Sequence, residues 1–196
     1  MVSWEKMFEN YDKRLDLDDI NEFQSHLNNA VDHKIKKLEA EYDTVTQENF
    51  ADPDDLIPYK EHLNDVMMSV YSAKVLGYEL SIIALYKKVE IKTKKIIEAR
   101  VPNPKAKNLS YFNNLCDVLP FDIKFVNGYE SFNELRLINN SIKHGGYVSS
   151  ELATSYPDWK EEDELKDLEK AYERLLPGVE SYVYDLVSKI YEIPKS

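Results

Sequence analysis

Cysteine, glycine and proline are scarce in this chain, and each scarcity removes a class of explanation. One cysteine in 196 residues, Cys116, cannot make an internal disulfide or a cysteine-only zinc site. With 5 glycines there is little material for a phosphate-cradling loop, and neither GxxxxGK[ST] nor GxGxxG occurs. HExxH is also missing, so the commonest helical zinc signature is excluded. Charged residues interrupt every long apolar run, so no transmembrane helix is expected. The leading residues MVSWEKMFENYDKRLDLDD have no apolar signal core. Together these features imply the cytoplasm.

What is present is a polar, helix-forming chain. It is 43% hydrophobic and 31% charged, enough to bury a core. Net charge is -11, unevenly spread. Residues 87–143 hold 11 Lys and Arg against 6 Asp and Glu, a balance of +5; the remainder holds 14 against 30, a balance of -16. An acidic chain is a poor general nucleic-acid binder, because phosphate affinity comes from cation contacts. The run KKVEIKTKKIIEAR at 87–100 reads either as a local basic surface or as one more solvated helix face.

Alternating strand patterns are lacking, and apolar residues recur at steps of three and four, which predicts an all-α fold. The expected architecture is one domain over 1–196, a bundle of five to six helices with two long ones. Residues 59–192 form its core, and 1–50 are a candidate peripheral arm. Residues 4–15 predict a first helix with Trp4, Phe8, Tyr11 and Leu15 inward. With Asp18 as N-cap, Ile20, Phe23, Leu27, Val31, Ile35 and Leu38 then mark a long helix to about residue 48. ADPDDLIP breaks the pattern, and Asp before a helix reads as a cap. Pro58 fits the first turn of a helix over about 59–100. Its segment VLGYELSIIALY is apolar all round and should be buried, with Gly77 a close-packing point. VPNPKAKN, LPFDIKFVNG and YVSSELATSYPDW read as loops or connectors, and NLSYFNNLCDVL as a short helix. The last segment places Leu165, Leu168, Tyr172, Leu175, Val179, Tyr182, Leu186 and Ile190 on one face; Pro177 should kink or split it. The tyrosines at this spacing read as core and interface edges before base-stacking platforms.

The segment ELRLINNSIKHGG, 134–146, carries the most specific chemistry. A helix turns about 100° per residue; measured around the axis from Arg136, Asn140 lies at about 40° and His144 at about 80°. On the other side of Arg136, Asn139 lies at about 300° and Lys143 at about 340°. Leu135, Ile138 and Ile142 gather at about 200–260°. The polar stripe therefore points away from the core, toward water, a ligand or a partner. Two asparagines mid-helix trade helix propensity for polar groups, as happens where a site demands it; a plain solvated face is the other reading. Gly145 and Gly146 supply the left-handed conformation that ends the helix, and His144 beside them also suits the negative end of the helix dipole.

This segment resembles the signature helix of the HEPN superfamily, compact all-α bundles with an Arg, a polar residue soon after and a His several residues on. The resemblance implies a metal-independent endoribonuclease of a microbial conflict or phage-defence system, of toxin–antitoxin or abortive-infection type. It further implies a homodimer whose motif helices meet in one cleft, RNA as substrate, and an antitoxin or other protein as partner; no cofactor or metal is called for. The matching positions are Arg136, Asn139 or Asn140, and His144. His144 would move the proton of the ribose 2′-hydroxyl or of the leaving oxygen, Arg136 would stabilise the phosphorane-like charge, Asn140 would orient them, and Asn139 and Lys143 would hold substrate. Seven residues separate Arg136 from His144, where the family has four to six. The two are then about 12 Å apart along the axis, and a two-fold dimer would bring Arg136 of one chain near His144 of the other. The alternative is a non-catalytic HEPN-like module using the same helix to bind a protein, a nucleotide or RNA. Elsewhere, Glu22, His26 and His33 share a helix face, a pattern that reads as surface residues before a metal site.

Overall fold

A computed structural model of the chain describes residues 3–104 and 107–194. Among these residues the regular structure consists of seven α-helices, three short 3-10 turns and no strand beyond an isolated bridge, Tyr147–Glu164. The helices are α1 (Trp4–Asp12), α2 (Asp18–Thr44), α3 (Leu56–Arg100), α4 (Phe112–Val118), α5 (Tyr129–Lys143), α6 (Ser150–Ser155) and α7 (Leu168–Tyr191). The protein is all-α, with α2 and α3 the longest helices. Part of the loop expected over 101–108 lies outside the described residues. The expected loop at 147–159 instead contains α6, because Ser149 caps it by accepting a hydrogen bond from the Leu152 N–H at 3.2 Å.

The residues group into two compact units, Asp18–Ser81 and Met1–Leu17 with Ile82–Ser196. The arm expected over 1–50 is therefore divided between them.

In the first unit, α2 and the leading part of α3 run antiparallel. Tyr59 donates to Glu41, and Asn28 donates to the Tyr78 hydroxyl at 2.9 Å. Of the six residues expected on the inner face of α2, Ile20, Val31, Ile35 and Leu38 are buried, Leu27 is half-buried and Phe23 is exposed. Asp18 begins α2 rather than preceding it. Asp52 caps the turn before α3 by accepting from the Asp54 N–H. Gly77 is a close-packing point: a Cβ there would lie 1.9 Å from Leu27 Cδ2. The segment 75–86 is not buried all round, however. Tyr78, Ile82 and Leu85 are buried, while Val75, Leu76 and Leu80 remain about half exposed. Residues of α3 also include an 18-residue window of mean hydropathy 1.2, of which 22% is buried. By length and composition alone that passes as a membrane span, a test a core helix also meets.

In the second unit, α7 is the central element. All eight residues expected on the inner face of the last segment are buried. Pro177 sits inside α7 without splitting it. A mid-helix proline costs about 3 kcal/mol, an amount that the buried side chains on either side of it offset. Next to it, α5 crosses α7 at van der Waals distance. A Cβ on Gly178 would meet Ser131 Oγ at 2.1 Å, and one on Gly128 would meet the Gly178 carbonyl oxygen at 2.1 Å. Gly128 also has φ +80 as the residue preceding α5, so it serves both the backbone turn and the close approach. Phe132 of α5 stacks on Tyr182 of α7 with ring centroids 4.1 Å apart.

Candidate functional site

Helix α5 ends as its glycines require. The Gly146 N–H donates to the Ser141 carbonyl at 3.0 Å and the Gly145 N–H to Ile142, with both glycines at positive φ. This is the Schellman pattern, and it makes Lys143 the last helical residue and His144 the cap. His144 is thus exposed, and its N–H still donates to the Asn140 carbonyl at 3.0 Å, closing the last turn of the helix.

The outward strip of α5 is narrower than its apolar residues suggest. Leu137 and Ser141, at about 100° and about 140° from Arg136, are buried, as are Phe132 and Asn139 on the other side at about 320° and about 300°. Asn139 is fully buried, which corrects its assignment to the substrate-facing stripe. It lies only about 40° from Leu135 around the helix, and packing covers both. The Asn139 side chain donates to Asn140 Oδ1 at 3.4 Å, and its own Oδ1 has no hydrogen-bond partner. What remains outside is half-buried Arg136 and Asn140 with exposed Lys143 and His144.

Arg136 is held on several sides. Its Nε and Nη2 donate to Asn133 Oδ1 at 3.2 and 3.0 Å, and Nη2 also donates to Glu151 of α6 at 2.9 Å. The guanidinium lies 4.8 Å from the centre of the Phe112 ring, and the side chain is only 15% exposed. Asn133 is oriented in turn, its amide donating to the Tyr156 hydroxyl at 3.1 Å, while that hydroxyl donates to the Glu130 carbonyl at 2.8 Å. Burial pushes the Tyr156 phenol up to about 12, against the opposing hydrogen bond from Asn133. Burial likewise raises the Cys116 thiol, which the Arg136 charge partly counteracts. Lys143 reaches back over the Tyr86 ring, 5.7 Å from its centre.

Some of the cations of segment 87–143 are paired, two of them within it and Arg100 with an acid outside it. Lys94 pairs with Glu90 at 2.8 Å, Arg100 with Glu5 at 3.0 Å and Lys107 with Asp117 at 2.6 Å. Among the described residues no group of three or more His, Cys, Asp or Glu stands where it would hold a metal ion. His26 lies 3.6 Å from Glu22, both well exposed.

One polar centre had no signal in the sequence. Glu134, 5% exposed, accepts from Trp159 Nε1 at 2.8 Å and from both Arg174 terminal nitrogens at 3.0 and 2.6 Å. The hydrogen bonds to Glu134 hold the Arg174 guanidinium even more firmly protonated than usual. Trp159 and Arg174 border a cleft of about 550 Å³ that also carries Lys160, Lys166, Asp158 and Asp163. Its charge is mixed, so it selects no sign of ligand. The three residues of the centre lie 15 to 40 positions apart, beyond any local pattern.

In comparisons with known proteins, no family, no curated sequence and no solved structure matches this chain.

Proposed function

We propose that the protein is a non-catalytic, HEPN-like helical module that binds a protein partner through the C-terminal end of α5. Asn140, Lys143 and His144 supply its contacts. One observation carries this reading: the Arg136 guanidinium already has a carboxylate, an amide and an aromatic ring as partners. A group that must stabilise a phosphorane needs an open, preorganised fork. Here Glu151 occupies it, and the arginine instead ties α5 to α6 and to Phe112. A protein partner is favoured over RNA because Arg136 is already paired with Glu151 and the chain carries -11 overall.

The metal-independent endoribonuclease is the second reading, favoured by exposed His144 and Lys143 at the end of the same helix. Incubating the protein with RNA in EDTA separates the two. The binding reading expects intact RNA. It also expects a protein that is retained by the wild-type chain and lost with Lys143→Glu and His144→Ala. Cleavage leaving 2′,3′-cyclic phosphate ends, abolished by His144→Ala, would replace it with the ribonuclease.

A further inference from the structure

Helix α1 is amphipathic, yet its polar side is the one that packs. The side chains of Glu9 and Lys13 are 14% and 8% exposed and pair with each other. Lys13 lies over the Tyr184 ring of α7 at 4.6 Å, and Asp12 accepts from the Tyr191 hydroxyl at 2.6 Å. On the other side stand Trp4, Met7, Phe8 and Tyr11, exposed by 75%, 49%, 54% and 74%. At about 100° per residue these four fall within an arc of about 100°, a continuous apolar stripe that stays largely exposed, with the Lys92 ammonium 5.9 Å from the centre of the Tyr11 ring at its edge. A lone exposed apolar side chain needs no explanation, but four in one stripe do.

We infer that this stripe is a self-association surface, on which α1 of a second copy packs antiparallel about a two-fold axis. The stripe is self-complementary: in that register Trp4 faces Tyr11 of the second copy and Met7 faces its Phe8, so each apolar side chain meets another. The area fits. Aromatic side chains present about 150–250 Å² each, so the exposed fractions of Trp4, Phe8 and Tyr11 leave roughly 400 Å² in water. Met7 brings the stripe to roughly 500 Å² per copy, or about 1,000 Å² for the pair, the size at which a specific though weak interface becomes credible. Aromatic residues and Met are the types enriched at interface cores. The acids that border the stripe, Glu5 and Asp12, already accept hydrogen bonds from Arg100 and Tyr191, which lessens repulsion where the two copies meet. A lipid surface suits the stripe less well, because an interfacial helix needs a strongly cationic border and this one has acids. The inference is independent of the reading of α5, and it places the dimer on α1 instead of on the motif helix.

Sedimentation equilibrium of the full chain, from micromolar to near-millimolar, tests it. The expected result is a reversible monomer–dimer equilibrium that Phe8→Glu and Trp4→Ser each weaken by about thirtyfold or more, as for residues at the centre of an interface. Far-UV circular dichroism should stay unchanged. In a Cys116→Ser background, mixed Met7→Cys and Phe8→Cys chains should oxidise to a cross-linked pair. A chain that stays monomeric throughout overturns the inference, as does a dimer that neither variant weakens. Co-sedimentation of a monomeric chain with phosphatidylcholine–phosphatidylglycerol vesicles would overturn it in favour of a lipid surface.

Discussion

Helices α1 and α7 carry the same kind of signal, apolar residues at steps of three and four, and meet opposite fates. All eight patterned residues of Leu165–Ile190 are buried, whereas Trp4, Phe8 and Tyr11 stand in solvent. The contrast shows what periodicity contains. It reports that a helix has an apolar face. It does not report whether the same chain supplies the surface that covers it. Helix α7 has α5 against it, with Phe132 stacked on Tyr182 and glycines where the backbones meet. Helix α1 is instead held on its polar side by the Glu5–Arg100 ion pair, by Lys13 over the Tyr184 ring and by the Tyr191 hydroxyl donating to Asp12.

Substitutions can break or sharpen that contrast. The largest effect is expected in α7: Leu175→Ala, at a 1% exposed position, should lower the urea unfolding free energy by about 2–5 kcal/mol. Next is the polar centre between α5 and α7. Arg174→Ala leaves the Glu134 carboxylate with Trp159 alone and should cost about 1–3 kcal/mol in the same measurement, discounted because Arg174 is half exposed. A smaller effect is expected at high pH. The folded Tyr156 phenol titrates at about 12, above its ordinary 10. The unfolded chain therefore loses that proton first, and stability present below about pH 10 is lost as pH rises toward 12. Unfolding curves between pH 9 and 12 should show this decline, and Tyr156→Phe should make it shallower. The smallest effect belongs to α1: Phe8→Ser should change the stability of the dilute monomer by no more than about 0.5 kcal/mol, as for a position more than half exposed. A loss of several kcal/mol there would mean the stripe is covered within one chain.

The same distinction separates the parts of the fold and site that were legible from those that were not. Gly77 as a packing point, Gly145 and Gly146 as a terminator, and Asp52 as a cap were legible, because each depends on a few neighbouring residues. The arc of α5 was legible on its Leu135–Ile138 side and misleading at Asn139, because an amide gives no local sign that packing will enclose it. Lys143 and His144 are exposed, as expected of an outward stripe. Arg136 lies on that side too, but its role depends on Glu151 and Asn133. Glu151 falls in a segment expected to be a loop, and Asn133 lies just outside the motif, about one turn before Arg136. The Glu134–Arg174–Trp159 centre joins α5, α7 and the intervening turn, and no spacing rule relates residues so far apart.

The residues by themselves determined that this chain is helical, roughly where its helices other than α6 begin and end, and that α2 and α7 each have an apolar side. Those are consequences of backbone geometry and side-chain type acting within a few positions. Which apolar side is enclosed, which arginine is already engaged and which acid is buried were decided only when distant segments came together. Burial and pairing belong to the surfaces in contact, and no single helix holds that information alone.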